Sequence, residues 1–375
     1  MAETTAPPSG VLELSPKGFG FLRDPAKNYL IRPTDPYVGS DLIRKFKLRP
    51  GLRLGGPVSP APRGQQGMRL LDVTSIEGNP TADFRPRAWE ELTATDPTRM
   101  IRLETGPEPL TTRVMDMFTP IGFGQRGLIV APPRSGKTVL LQHIAASVAQ
   151  NYPDCYLIVL LVDERPEEVT EMRRSVRGEV VSSSSDMDSG AHIRISELVV
   201  ERARRLAEQG RDVLILMDSL TRLARAYNKH AGSGRTMSGG VDSRALEVPK
   251  RLFGAARAFE EGGTLTVLGT CLIDTGSRMD EVIFQEFKGT GNMELVLDRA
   301  LAEKRIWPAI DLLKSGTRKE ERILPAEELE RITLLRRSLF QMRKPEEAME
   351  GLIKQLTKAT TNQEFLDTVG KFVAK

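Results

Sequence analysis

The sequence predicts two folded parts in series: a small all-β barrel, then an α/β domain built on a mostly parallel sheet. Three observations carry this expectation. Short apolar segments alternate with Gly/Pro turns near the start. Beyond residue 110, apolar strands alternate regularly with helical stretches. A Pro-rich turn ending in Gly136-Lys-Thr138 sits between the first of those strands and the helix that follows it.

Residues 1–8 read as a frayed tail. Residues 9–76 contain Val11-Leu-Glu-Leu14, Gly18-Phe-Gly-Phe-Leu22 and Arg69-Leu-Leu-Asp-Val73, whose spacing suits the strands of a small barrel. Residues 77–110 are polar and contain prolines, and they read as a linker ordered around Trp89. Residues 111–375 form the α/β part, with strands expected at 128–131, 156–162, 179–182, 213–217 and 264–273 and helices at 139–150 and 193–209. No internal repeat of solenoid length occurs.

Composition narrows the function classes. With 39% apolar and 28% charged residues, the chain has the make-up of a globular protein and not of a collagenous or disordered one. No apolar run reaches the roughly 18 residues a membrane span needs, and no secretory signal opens the chain, so the expected location is cytoplasmic with no membrane partner. Cys155 and Cys271 lie in or beside apolar runs and are expected to be reduced and inert. His143, His192 and His230 have no metal-ligand spacing and read as ordinary structural or surface residues. The net charge of +4 is uneven: residues 17–69 hold eleven Lys/Arg and three Asp, a local balance of +8. Such a module suits a polyanionic partner, or is simply a solvated basic face.

The Pro-rich turn has the chemistry of a phosphate cradle. Ala131-Pro-Pro-Arg-Ser-Gly-Lys-Thr138 follows an apolar strand and opens a helix, so backbone N–H groups at the helix start point toward a β-phosphate. Lys137 would neutralise the β and γ charges, and the Thr138 hydroxyl would ligate Mg²⁺. These residues imply an ATP or GTP site. Ligands of parallel sheets sit at the carboxyl ends of strands, where the sequence places Asp163-Glu-Arg-Pro166 and Asp218-Ser219. Asp218 suits Mg²⁺ held through water, and Glu164 suits a general base for the attacking water, with helix capping the plainer use of Asp163 and Asp218. Arg318, in Ser315-Gly-Thr-Arg318, suits an arginine finger reaching a neighbour's site, although a surface arginine would look the same.

A second constellation suits nucleic acid. Phe19 and Phe21 alternate with glycines, which puts both rings on one strand face flanked by Lys17 and Arg23, with Tyr37 available to extend it. A core strand is the competing use. The Gly-rich loops at residues 233–240 and 288–291 carry Arg235 and Lys288, either as phosphate contacts or as plain turns.

Several strings resemble one family closely: the phosphate loop, Asp163-Glu-Arg-Pro-Glu-Glu-Val-Thr-Glu-Met172, Asp218-Ser-Leu-Thr-Arg-Leu-Ala-Arg-Ala-Tyr227, Gly254-Ala-Ala-Arg257, Phe287-Lys-Gly-Thr-Gly-Asn-Met-Glu294 and Ser315-Gly-Thr-Arg-Lys-Glu320. They are similar to the bacterial Rho family of transcription termination factors, over nearly the whole chain from Gly10. The resemblance implies an OB-fold, cold-shock-like barrel before a RecA-like P-loop domain, assembled as a homohexamer with interfacial ATP sites. It implies an RNA-dependent ATPase with 5'-to-3' translocase or helicase activity on single-stranded nascent RNA, with RNA polymerase and accessory elongation factors as further partners. By position, the resemblance assigns ATP to Pro133, Arg134, Ser135, Gly136, Lys137, Thr138, Val139 and an adenine-stacking Trp307. It assigns Mg²⁺ to Thr138 and Asp218, catalysis to Glu164 with Arg165 beside it, and the trans finger to Arg318. RNA falls to Phe19, Phe21, Arg23 and Tyr37 on the barrel and to Arg235, Lys288, Gly289 and Thr290 in the channel loops. Two features differ from the usual pattern: about ten residues precede the barrel in place of a helical bundle, and Arg63-Gly-Gln-Gln-Gly-Met-Arg-Leu-Leu71 lacks an acidic and an aromatic residue expected near there. A rotary ATPase subunit and a non-translocating RNA-binding paralogue are the alternative readings.

Overall fold

The computed structural model describes residues 9–60, 67–85, 87–231, 236, 238–342 and 344–373. The first part is an eight-stranded sheet made of β1 (Ser9–Leu14), β2 (Gly20–Arg23), β3 (Tyr37–Val38), β4 (Arg53–Gly55), β5 (Val58–Pro60), β6 (Met68–Leu70), β7 (Ser75–Ile76) and β8 (Asn79–Pro80), in the order β5-β6-β3-β2-β1-β4-β7-β8. All pairings are antiparallel except β3 with β6. Strand alternation sends Leu12, Leu22, Val38, Leu54 and Leu70 into one apolar core, which the short helix Ser40–Lys45 closes with Leu42.

The stretch expected as a linker is built into the fold at several points. β9 (Ala94–Thr95) pairs with a strand of the larger sheet, and β10 (Met100–Ile101) pairs with β11 (Ile121–Gly122). Trp89 is 5% exposed and meets Phe259 edge-on at 4.8 Å between ring centroids. Burying the indole supplies the apolar area that fixes an otherwise polar segment.

The larger sheet has nine strands, adding β12 (Arg126–Ala131), β13 (Tyr156–Glu164), β14 (Glu179–Ser184), β15 (Asp212–Asp218), β16 (Arg257–Phe259), β17 (Thr264–Leu272), β18 (Met293–Val296) and β19 (Gly316–Thr317) to β9. Its main path runs β14-β13-β15-β17-β12-β18-β19, parallel except for the last pair, while β16 pairs antiparallel with β17 and β9. The central strands are apolar over their whole length because helices cover both faces. The expected strands and helices are all present, with the first helix, Lys137–Asn151, starting two residues earlier than its apolar pattern suggests. Three helices, Ala326–Phe340, Pro345–Leu356 and Asn362–Val373, follow the sheet. Arg113, fully buried, ties them down by donating to the carbonyls of Leu356 (3.2 Å) and Ala359 (2.9 Å) and to Asn362 Oδ1 (3.2 Å).

The two parts meet through charged and phenolic pairs. Arg202 NH1 donates to both Glu77 oxygens at 2.6 and 2.7 Å, Arg49 forks onto Glu208 at 2.9 and 2.6 Å, and Tyr29 OH donates to Glu179 Oε1 at 2.5 Å. Both cysteines are free thiols, as expected, and burial pushes each up to about 12. No described helix is long and apolar enough to cross a membrane.

Candidate active site and RNA-binding face

The phosphate loop connects the end of β12 to the helix Lys137–Asn151. Arg134 (φ 63°) and Gly136 (φ 88°) both take left-handed backbone, which turns the chain sharply enough to aim the helix start across the strand end. Gly136 suits this position because its φ lies where side chains are strained, and a Cβ there would also press on the Trp307 ring at 2.7 Å. Ser135 donates to the Pro132 carbonyl at 2.7 Å and braces the turn from within.

Three candidate residues converge at the carboxyl ends of β12, β13 and β15. Lys137 Nζ lies 2.6 and 2.7 Å from the Asp218 oxygens and 3.1 Å from Glu164 Oε1. Asp218 and Glu164 are buried. Burial opposes the charge on Lys137, but the two carboxylates outweigh it and raise the ammonium above its usual range. Burial also raises the Glu164 carboxyl, and the Asp218 charge adds to that, against the pull of Lys137 and Arg222. A carboxyl of raised basicity is what a general base needs.

Asp163 takes left-handed backbone (φ 56°) where the β13–β14 register shifts between Val162 and Glu164, and this bulge directs Glu164 inward. Arg222 pairs with Glu164 Oε2 at 2.9 Å and donates to the Asp163 carbonyl, and Thr270 Oγ1 donates to Asp218 Oδ1 at 2.6 Å. Neither Arg222 nor Thr270 was among the expected site residues. Arg222 stands in the Asp218–Tyr227 string, four residues past Asp218, so its place at one end of the next helix was legible; Thr270 comes from β17 and is not. Arg134 and Arg165 are exposed beside the site.

A cavity of about 310 Å³ opens beside the phosphate loop, lined by Trp307, Val139, His143, Thr111, Leu297 and Ile310 among others. Trp307 and Val139 are 44% and 51% exposed, unusual for such side chains and suited to sandwiching a planar ring. His143, expected to be an ordinary residue, lines this cavity, and burial lowers its basicity.

Arg318 is exposed and has no ion-pair partner among the described residues; its N–H donates to the Asn292 carbonyl at 2.9 Å. A cavity of about 310 Å³ is lined by Arg318, Ser315, Thr317 and Lys288. Lys288 ends the helix Arg278–Lys288 and stands 3.8 Å from Glu294, with Gly289 and Thr290 in the turn that follows. Arg235 and half of the loop at 233–240 lie outside the described residues, as do 61–66 of the segment that differs from the usual pattern and the tail 1–8.

On the barrel, Phe19, Phe21 and Tyr37 meet as a cluster, with ring centroids 5.4 to 5.8 Å apart. All three rings are partly exposed, so this strand face is not core. Arg23 differs from the expected backbone-tracking cation. It is 5% exposed, bound to Glu13 at 2.5 Å and Asp35 at 2.7 Å, and its guanidinium lies 4.8 Å from the Phe21 ring centroid. It forms a fixed wall of the cluster.

Residues 8–82 match the family model of the Rho termination factor RNA-binding domain, and residues 111–317 match the nucleotide-binding domain of the ATP synthase alpha/beta family. Transcription termination factor Rho of Buchnera aphidicola (subsp. Baizongia pistaciae) is 53% identical over 363 residues, covering 96% of this chain and 86% of that protein. Its counterpart in Haemophilus influenzae is 52% identical over 365 residues, with 96% and 87% covered. The chain belongs to the Rho family. The Rho protein of Escherichia coli K12 is likewise 52% identical over 363 residues, with 96% and 86% covered. Solved structures extend the fold beyond Rho. An ATP synthase subunit, NeqB of Nanoarchaeum equitans, superposes with a TM-score of 0.62 at 18% identity, covering 77% of this chain and 79% of that one. A type III secretion ATPase superposes at 0.61 with 22% identity, covering 75% and 86%. The Rho fold is thus an OB-like RNA-binding part followed by a P-loop ATPase domain with a mixed sheet, as the sequence predicts.

Proposed function

We propose that the chain is one subunit of a hexameric motor that binds nascent single-stranded RNA, hydrolyses ATP at subunit interfaces, moves 5' to 3' along the transcript and terminates transcription. The observation that carries this reading is the union, in one Rho-family chain, of a partly exposed aromatic cluster on the RNA-binding domain with the Lys137–Glu164–Asp218 cluster.

The backbone from Pro133 to Val139 cradles the phosphates, Lys137 balances the β and γ charges, and Trp307 stacks on adenine over the cavity beside Val139. Glu164 orients and deprotonates the attacking water, with Arg165 exposed beside it, and Arg222 holds the Glu164 carboxylate in place. Thr138 and Asp218 are hard oxygen donors of the kind Mg²⁺ takes, and Asp218 already accepts a cationic group, the Lys137 ammonium. Mg²⁺ bound there would neutralise phosphate charge. Arg318, with no ion-pair partner among the described residues, reaches a neighbouring subunit's γ-phosphate. Phe19, Phe21, Arg23 and Tyr37 capture bases, and Arg235, Lys288, Gly289 and Thr290 contact RNA threaded past the ATPase domains. RNA polymerase and accessory elongation factors are partners in the cytoplasm.

Transcript release tests this. With a stalled bacterial elongation complex, the protein should release RNA when ATP is present and not with a non-hydrolysable analogue. Release that is equal with both would remove the motor from the account.

A further inference from the structure

The aromatic face extends to a charged group whose second partner lies outside the barrel. Glu13 on β1 stands directly opposite Phe21 on β2, and Phe21 stands opposite Tyr37 on β3. Residues opposed in an antiparallel pair share a face, so Glu13, Phe21 and Tyr37 form one row, joined by Arg23 two residues along β2. The Glu13 carboxylate accepts from Arg23 Nε at 2.5 Å on one side. On the other it accepts from Arg194 NH1 at 3.0 and 3.2 Å. Arg194 belongs to the helix Ser189–Glu208 of the α/β domain, and its NH2 also donates to the Tyr29 carbonyl of the barrel at 2.8 Å.

We propose that Arg194 is a positioning residue for RNA capture: through Glu13 it fixes the Arg23 guanidinium against Phe21, so the ATPase domain sets the geometry of the face that receives the base. The inference rests on the Phe19–Phe21–Tyr37 face binding RNA.

The bridge spans open space. A cavity of about 480 Å³ is lined by Glu13, Arg194, Glu197 and Glu201 among others, so the carboxylate is not wedged by neighbours at this point. Apolar packing holds β1 to the helix beside it, with Val11 and Tyr29 buried among Ile195, Leu198 and Val199, and the paired charges set where the Glu13 carboxylate sits. Without Arg194, Glu13 keeps Arg23 alone and loses its own tie to the helix. Without the Glu13 charge, Arg23 is held only through NH1 by Asp35, and its Nε edge beside Phe21 has no anion. Either change loosens the wall behind Phe21 and makes RNA order it on binding, which weakens capture without removing any RNA contact. The helix that carries Arg194 also carries His192, whose Nδ1 lies 2.8 Å from Ser183 Oγ on β14, so the brace is anchored to the strand beside β13.

The test is binding of a fluorescein-labelled single-stranded RNA to the full-length protein across a salt series. The variants are Arg194→Met, Glu13→Gln, their double, Arg194→Lys, Phe21→Ala and Arg49→Met. Each of the first two should weaken binding about fivefold, and the double should weaken it no further, because both remove one coupled link. The slope of log affinity against log salt should be unchanged, whereas a lost phosphate contact would lower it by about one cation. Arg194→Lys should restore most of the affinity. Arg49→Met, which cuts the domain contact at Glu208 instead, should leave binding within about twofold. Full affinity in Arg194→Met, a reduced salt slope, or an equal loss in Arg49→Met would each overturn the inference. Unchanged binding in Phe21→Ala would instead overturn the reading of the face on which it rests.

Discussion

Lys137→Ala should cost the folded protein more than its catalysis. Lys137 Nζ lies within 3.1 Å of two carboxylates, one on Asp218 and one on Glu164. Removing one partner of a buried ion pair costs about 3–5 kcal/mol, because the remaining charge is desolvated without compensation. Arg222 still serves Glu164 and Thr270 still serves Asp218, so the lower end, about 3 kcal/mol, is expected. The pH dependence has a definite sign. The Glu164 carboxyl is already raised above its ordinary 4.5 by burial, and losing Lys137 raises it further. A carboxyl raised on folding stabilises at low pH, and that contribution is lost as pH rises through its folded value, so the deficit should shrink as pH falls. Urea unfolding midpoints of the two proteins, at one protein concentration and without nucleotide, measure this. Adding Asp218→Asn should recover about half of the loss, since it removes one uncompensated charge. A variant as stable as the parent at about pH 8 would refute the reasoning, since the cluster would then not be a compensated buried one. Hydrolysis should vanish while RNA capture stays largely intact.

Glu164→Gln should lower the turnover number by about 10²–10⁴-fold with nucleotide binding retained, read by stopped assays and by nucleotide titration. Trp307→Ala should raise KM for ATP about tenfold with a smaller change in turnover, and Trp307→Phe should restore it, because only a π face is needed. Gly136→Ala should abolish nucleotide binding in an otherwise folded protein, since the position has φ 88° and a Cβ would meet Trp307 at 2.7 Å. Phe21→Ala should weaken RNA binding roughly tenfold, the loss of one stacked base, and leave RNA-free hydrolysis unchanged.

The parallel sheet was legible because its strands are apolar runs ending in carboxylates, and the phosphate loop because its chemistry is local. Lys137, Glu164 and Asp218 could be named from such strand ends, although their mutual contact depends on the strand order β13-β15-β17-β12, which no single strand encodes. Period-two alternation placed Phe19 with Phe21, and the structure adds Tyr37 through the β2–β3 pairing. What stayed hidden was long-range. Arg23 reads as a free cation until Glu13 and Asp35 close on it. The segment 77–110 reads as a linker because β9 is two residues long and Trp89 finds its partner, Phe259, far along the chain. His143 carries no local sign of the cavity it lines, because Trp307 and Leu297 reach that cavity from other elements.

Base capture on the barrel should drive hydrolysis at Lys137, Glu164 and Arg318. Steady-state ATP hydrolysis by the purified protein tests it most directly, measured without nucleic acid, with cytidine-rich RNA, with uridine-rich RNA and with DNA of matching sequence. RNA should stimulate strongly and DNA little, with the stimulation lost in Phe21→Ala at subsaturating RNA. Hydrolysis at one rate under all four conditions would contradict it and leave a P-loop ATPase whose barrel has no part in its chemistry.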